Sequence, residues 1–123
     1  PEFLQGVGLF NQQAYFEAHE VWEDFCWRPL APSQAKIFYQ ALIQTAAAFL
    51  KYRQGNLNGA RRLLNTALYK LEGFQAVYGQ ADFLDVCLSD FIQQLQAWRN
   101  ALQQENSPFL PLPFIQIQTE ETA

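Results

Sequence analysis

Clustered positive charge is missing from this sequence. Its eight Lys and Arg are scattered among twelve Asp and Glu, the net charge is −4, and the densest basic pair, Arg61-Arg62, stands alone. A phosphate backbone calls for a basic face, so nucleic acid is not expected as a partner, and an anionic membrane surface is disfavoured for the same reason. No apolar run approaches ~18 residues, so no membrane span is expected. The opening PEFLQGVGLF has neither a basic n-region nor a cleavage pattern and does not read as a signal peptide. It also lacks a starting Met, which points to a trimmed start and leaves an earlier export signal open. Cysteine is sparse: Cys26 and Cys87 have no CxxC spacing, and each falls in an apolar helical pattern, where a thiol acts as a small buried hydrophobe. Both are expected to be reduced, which suits the cytoplasm. No Gly-rich phosphate loop occurs.

Apolar residues are plentiful. They make up 50% of the 123 residues, and 15% are aromatic, enough for one domain with a real core and against disorder for most of the chain. Their spacing is helical nearly throughout. A first helix is expected over 3 to 11, a break at Asn11-Gln12-Gln13, and a second helix over 14 to 27, closed by the loop of Pro29 and Pro32. A third, over 33 to 54, stops at Gly55; Asn56 caps a fourth over 57 to 78, stopped by Gly79. Asp85 is read as the cap of a fifth helix over 86 to 104. Pro108, Pro111 and Pro113 then forbid a helix. Apolar residues such as Leu112 and Ile115 are too many there for a free tail. The expectation is therefore an all-α single domain over 1–123. It is a bundle of about five helices, with 105–123 as an extended proline-rich strap against the bundle or a second subunit, and with loose final residues TEETA. A homodimer is one expectation.

FNQQAYFEA (10 to 18) and YRQGNLNGA (52 to 60) align with an offset of 42 residues. Each sets a large residue, a polar turn and a small Ala at matching positions, as in helical-hairpin repeats.

YFEAHEVWEDFCW, residues 15 to 27, holds the single histidine among acids and large aromatics. At ~100° per residue, Ala14, Ala18, Val21, Trp22 and Phe25 form the core stripe, and Glu17, Glu20 and Asp24 fall opposite. His19 and Glu23, spaced i and i+4, can meet, and Phe16 and Trp27 lie at nearly their angle. That points to a second, half-buried polar surface. The apolar third helix carries a polar stripe of Gln40, Gln44 and Lys51, and buried amides need partners. Turning Gln40 and Gln44 towards His19, Glu20 and Glu23 makes one polar cluster, the chain's candidate site. Lys70, Arg61 and Arg62 are read as solvated.

HEVWE has the form His-Glu-x-x-Glu, one residue away from the His-Glu-x-x-His of zinc proteases. With no second His, zinc held by two imidazoles is impossible within one subunit. One imidazole with carboxylates, His19 and Glu23, favours a divalent Mg²⁺, Mn²⁺ or Fe²⁺ instead. The di-iron signature fails because position 16 is Phe, and no Ser or Cys triad is supported. The plain alternative is a structural network in which His19 and Glu23 simply pair.

At YFEAHEVWEDFCW followed by FYQALIQTAAAFLKYRQGNLNGARRLL the chain resembles the small prokaryotic proteins grouped as domain of unknown function 309. The resemblance runs from about Phe10 to Leu71 and more loosely to the proline-rich end. It implies a compact helical bundle and a label of metal-dependent hydrolase. Its characteristic polar positions fall on Glu17, His19, Glu20, Glu23, Gln40 and Gln44. Gln13 stands where a Gly is common, Ala41 where a Gly often follows the glutamine, and Leu50-Lys51 where a His often stands.

Two functions are carried forward. One is a metal or small-molecule pocket, hydrolytic at most, with Glu20 or Glu23 as general base, His19 as ligand or proton carrier, and Gln40, Gln44 and Glu17 contacting substrate. The other is a non-enzymatic helical-hairpin interaction module with an exposed apolar groove.

Overall fold

The chain reverses twice in the same way, and the bundle is arranged around those two reversals. A computed structural model describes residues 2–26, 33–79, 82–104 and 110–117. Helix α1 covers Glu2–Asn11, α2 Tyr15–Val21, α3 Ser33–Arg53 and α4 Leu57–Tyr78. In the first reversal Gln13 N donates to Phe10 O (2.9 Å) and Ala14 N to Leu9 O (2.9 Å); in the second Gly55 N donates to Tyr52 O (3.0 Å) and Asn56 N to Lys51 O (2.9 Å). Gln13 and Gly55 both take left-handed φ, 67° and 81°. Ala14 and Asn56 follow with φ/ψ of −86°/69° and −88°/82°. The 42-residue echo in the sequence is thus a repeat of backbone geometry. Ala18 and Ala60, at matching positions in the helices that follow, are both buried, and their small side chains let neighbouring helices approach. Only the second cap uses a side chain: Asn56 accepts from Gly59 N at 2.9 Å, a contact that typically contributes ~1 kcal/mol.

Helix α3 is buried on more than one face, through Phe38, Ala41, Leu42, Thr45, Ala46 and Phe49, so it is the central helix. It packs on α2 on one side and α4 on the other. Thr45 is buried and its hydroxyl donates back to Ala41 O at 2.7 Å.

The second helix differs from expectation. It is α-helical only to Val21, and Trp22–Cys26 form a π-helical turn, which winds one more residue into each turn. Trp22 is fully buried, and its indole N–H donates to Phe3 O at 3.2 Å. Gly6 of α1 lies flat against that indole; a Cβ there would sit 2.1 Å from the ring nitrogen. The interface of α1 with the π-turn therefore requires glycine at position 6. Tyr15 is also core, against Phe10 (5.3 Å between centroids) and Phe49 (6.0 Å), although helical phase alone left it off the core stripe.

Asp85 is not a helix cap. Asp82–Phe83 (β1) and Val86–Cys87 (β2) pair antiparallel, with Phe83 opposite Val86, and α5 begins only at Leu88 and runs to Gln103. Leu84 and Asp85 make the two-residue turn, both with positive φ (50° and 64°), as a type I′ hairpin demands. Phe83 is what holds this ribbon down, with ring contacts to Phe74 (4.8 Å), Phe38 (5.0 Å) and Tyr78 (5.0 Å).

Residues 110–117 run extended over the same chain. Asn11 clasps Ile115 through both its amide groups (2.7 and 3.0 Å), Gln94 does the same to Phe114 (2.9 Å each), and the Trp98 indole donates to Pro111 O at 2.9 Å. Cys87 N donates to Gln116 O at 2.9 Å, and Val86 bridges Ile117. The buried Ile115 seats this segment against its own bundle. Trp27, the Pro29–Pro32 loop, residues 105–109, the final TEETA and the side chains of Phe25 and Cys26 lie outside the described residues. No helix among those described is long and apolar enough to cross a membrane.

Candidate functional site

His19 and Glu23 meet as their spacing requires. His19 Nε2 and Glu23 Oε2 are 2.9 Å apart across the junction of α2 and the π-turn. The imidazole also stacks on Phe16, with 6.4 Å between centroids. Phe16 is 51% exposed and the His19 side chain 32%, so among the described residues the pair lies at a partly open surface. Glu17 and Glu20 are exposed as well, on the solvated face.

The two glutamines meet only one of the three residues expected to join them. Glu23, Gln40, Ile43, Gln44 and Lys70 line an open cleft of about 280 Å³, floored by α3 and walled by the π-turn and α4. His19 and Glu20 are not part of its lining. Lys70, expected to be solvated, is instead half-buried and donates from Nζ to Gln40 Oε1 at 3.2 Å. Periodicity places Lys70 near the seam of α4, but the bond to Gln40 depends on the register between two helices, which no local pattern encodes. Arg61 also departs from the solvated reading: its Nε is buried without a hydrogen-bond partner, whereas Arg62 is exposed.

Gln44 is the unusual member of the cleft. Its Oε1 is buried and has no hydrogen-bond partner among the described residues. A buried carbonyl left unpaired costs ~1–3 kcal/mol, so such an atom calls for an explanation. Chemically the cleft offers two acceptors, Glu23 carboxylate and Gln44 Oε1, and one cation, Lys70. Among the described residues no group of three or more His, Cys, Asp or Glu side chains could hold a metal ion. The donor set at His19 is one imidazole and one carboxylate already bonded to each other, which does not fit the divalent site that the sequence suggested.

A second polar hollow, about 580 Å³, lies where the two reversals meet, lined in part by Gln13, Tyr15, Glu17 and Arg53. Arg53 donates from Nη1 to Gln13 O, tying one reversal to the other, and its guanidinium sits 5.7 Å from the Tyr15 ring centre. The Tyr15 hydroxyl is buried without a partner; desolvation pushes its pKa up from 10.0 to about 12, against the opposing charge of Arg53.

Residues 3–63 match the model of a family described as a domain of unknown function (DUF309). Over this segment the chain is similar to that family. The matched DUF309 segment holds both reversals, the His19–Glu23 pair and both cleft glutamines, and it stops within α4 before Lys70. It starts earlier and ends earlier than the resemblance read from the motifs. A relative named uncharacterized protein YpuF, from Bacillus subtilis (strain 168), is 34% identical over 58 residues, which are 47% of this chain and 33% of the relative. The chain thus matches only about a third of that protein's length. No solved structure matches significantly. Gln13 stands where the family resemblance places a common Gly, and its left-handed φ is the physical reason for that preference.

Proposed function

We propose that this protein is a binding module built from two helical hairpins, and that its site is the cleft of Glu23, Gln40, Gln44 and Lys70. The observation that carries the reading is Gln44, which lines the cleft and whose buried Oε1 has no hydrogen-bond partner among the described residues. A ligand N–H would satisfy it, Glu23 would accept a second donor, and Lys70 would engage an acceptor or an anion. Hydrolysis has less support. A general base must reach its proton within hydrogen-bond distance. Glu17 and Glu20 are exposed and do not line the cleft, and Glu23 is already bonded to His19. Two sparse thiols without CxxC spacing remain in keeping with a reducing, cytoplasmic setting.

The test is an amide NMR titration of the full chain with a library of small primary amides, amines and carboxylates. The reading expects amide-bearing fragments to shift the side-chain NH₂ signals of Gln40 and Gln44, and the Gln44→Met variant to lose those shifts. Fragments that shift only residues remote from the cleft, or none at all, would contradict it.

A further inference from the structure

The cleft does not stand alone on the α3–α4 seam. Lys70 belongs at once to the polar cleft and to an adjoining apolar hollow of about 310 Å³, lined by Ile37, Tyr69, Gly73, Phe74 and Val77. On the other side, seven residues further along α3 from Gln44 and so on the same face, Lys51 opens a third hollow of about 420 Å³ with Arg62, Leu63 and Thr66. Among the α4 residues that line the three hollows, Val77, Gly73, Lys70, Thr66 and Arg62 recur every three or four residues and form one stripe. Taken as one groove, the three hollows follow the seam along the hairpin. Its chemistry is graded: apolar at the Ile37–Val77 end, hydrogen-bonding in the middle, cationic at the Lys51–Arg62 end.

Both ends look outward. Tyr69 is 80% and Val77 85% exposed, two large apolar side chains beside one hollow. Lys51 and Arg62 form no ion pair with any described carboxylate. This happens in a chain of net charge −4, so two unpaired cations on one seam are a local reversal of its charge. The nearest extended segment of the chain, 110–117, is seated elsewhere, on α5 and Asn11.

Resting on the cleft reading, we infer that the ligand is a segment of another protein, apolar at one end and acidic at the other, lying along this groove. Charge complementarity sets the acidic end against Lys51 and Arg62. The apolar end enters the hollow that Gly73 leaves open beside Tyr69 and Val77. Between them, Glu23 accepts from an N–H of the segment, Gln44 Oε1 accepts from another once its side chain turns into the cleft, and Lys70 donates to the segment's carbonyls. From Ile37 to Lys51 the helix rises ~1.5 Å per residue, about 21 Å in all. An extended chain at ~3.3 Å per residue covers that span with about six residues.

A phage-displayed library of random dodecapeptides, panned on the full chain, tests this. The inference expects enriched sequences to carry an apolar pair and an acidic pair separated by about four to six residues. Peptides of those sequences, followed by fluorescence anisotropy, should bind at least tenfold more weakly to Val77→Asp and to the double variant Lys51→Glu, Arg62→Glu. Changing the peptide's acids to lysines should restore binding to that double variant. Val77 and Arg62 are exposed and Lys51 is half-buried, and an unchanged circular dichroism melt verifies that each variant folds. No enrichment of the pattern, or unaltered binding to the charge-reversed variant, overturns the inference. If amide fragments still bind the cleft in that event, the cleft reading survives alone; if they do not, both fall. A concentration-dependent dimer in sedimentation that Val77→Asp converts to monomer would show the groove to be a self-interface and also overturns it.

Discussion

Gln13 holds a left-handed φ of 67° without being glycine, a conformation that costs an ordinary L-residue about 1–2 kcal/mol. Its carbonyl, not its side chain, accepts from Arg53, so Gln13→Gly removes strain and keeps that bond. Urea unfolding should show Gln13→Gly to be more stable by about 0.5–1 kcal/mol, after the entropy that glycine adds to the unfolded chain. Tyr15 makes a prediction in pH. With the folded pKa near 12 and the unfolded value near 10.0, the unfolded chain releases its proton first. The contribution is whole below about pH 10, and stability falls as pH rises from there towards 12. In Tyr15→Phe that part of the decline should vanish in unfolding curves collected across the window, and a decline equal to that of the parent would contradict the assignment. At this scale the sequence was informative about pairs on one helix and silent about pairs between helices. His19 with Glu23 is legible because four residues make one turn. Lys70 with Gln40 is not, because it needs the register of α4 on α3.

Elements were legible where a backbone requirement leaves a residue signature. Gly55, Asn56 and Gly79 mark the ends of α3 and α4 because left-handed φ and cap hydrogen bonds select those residue types. The ribbon before α5 escaped notice because Leu84-Asp85 occupies a turn that ordinarily selects Asn-Gly, and Asp85 ahead of an apolar run imitates a helix cap. The contacts of Phe83 supply what the turn residues do not. Replacing Leu84-Asp85 with Asn-Gly should therefore raise the melting temperature, by about 1 kcal/mol in stability, without altering α5. The π-turn was equally hidden, since one extra residue in a turn has no composition of its own. Its consequence is that Trp22 stays buried while Glu23 reaches the cleft. Gly6→Ala drives a methyl into the Trp22 indole and should cost about 1–3 kcal/mol in chemical denaturation.

At the scale of the molecule, two hairpins with one turn geometry carry a graded groove on the seam of the second, and the account turns on why Gln44 is there. A structural amide would be bonded within the protein, and replacing it would destabilise the fold. A binding amide held in readiness costs stability in the free protein, which is the usual trade of function against stability. Gln44→Met keeps the length and helix propensity of the side chain and removes the unpaired acceptor. The unfolding free energy of that variant, against its parent without ligand, is the most direct measurement. The account predicts a gain of about 1 kcal/mol; a loss of similar size would show Gln44 to be part of the scaffold and contradict the site.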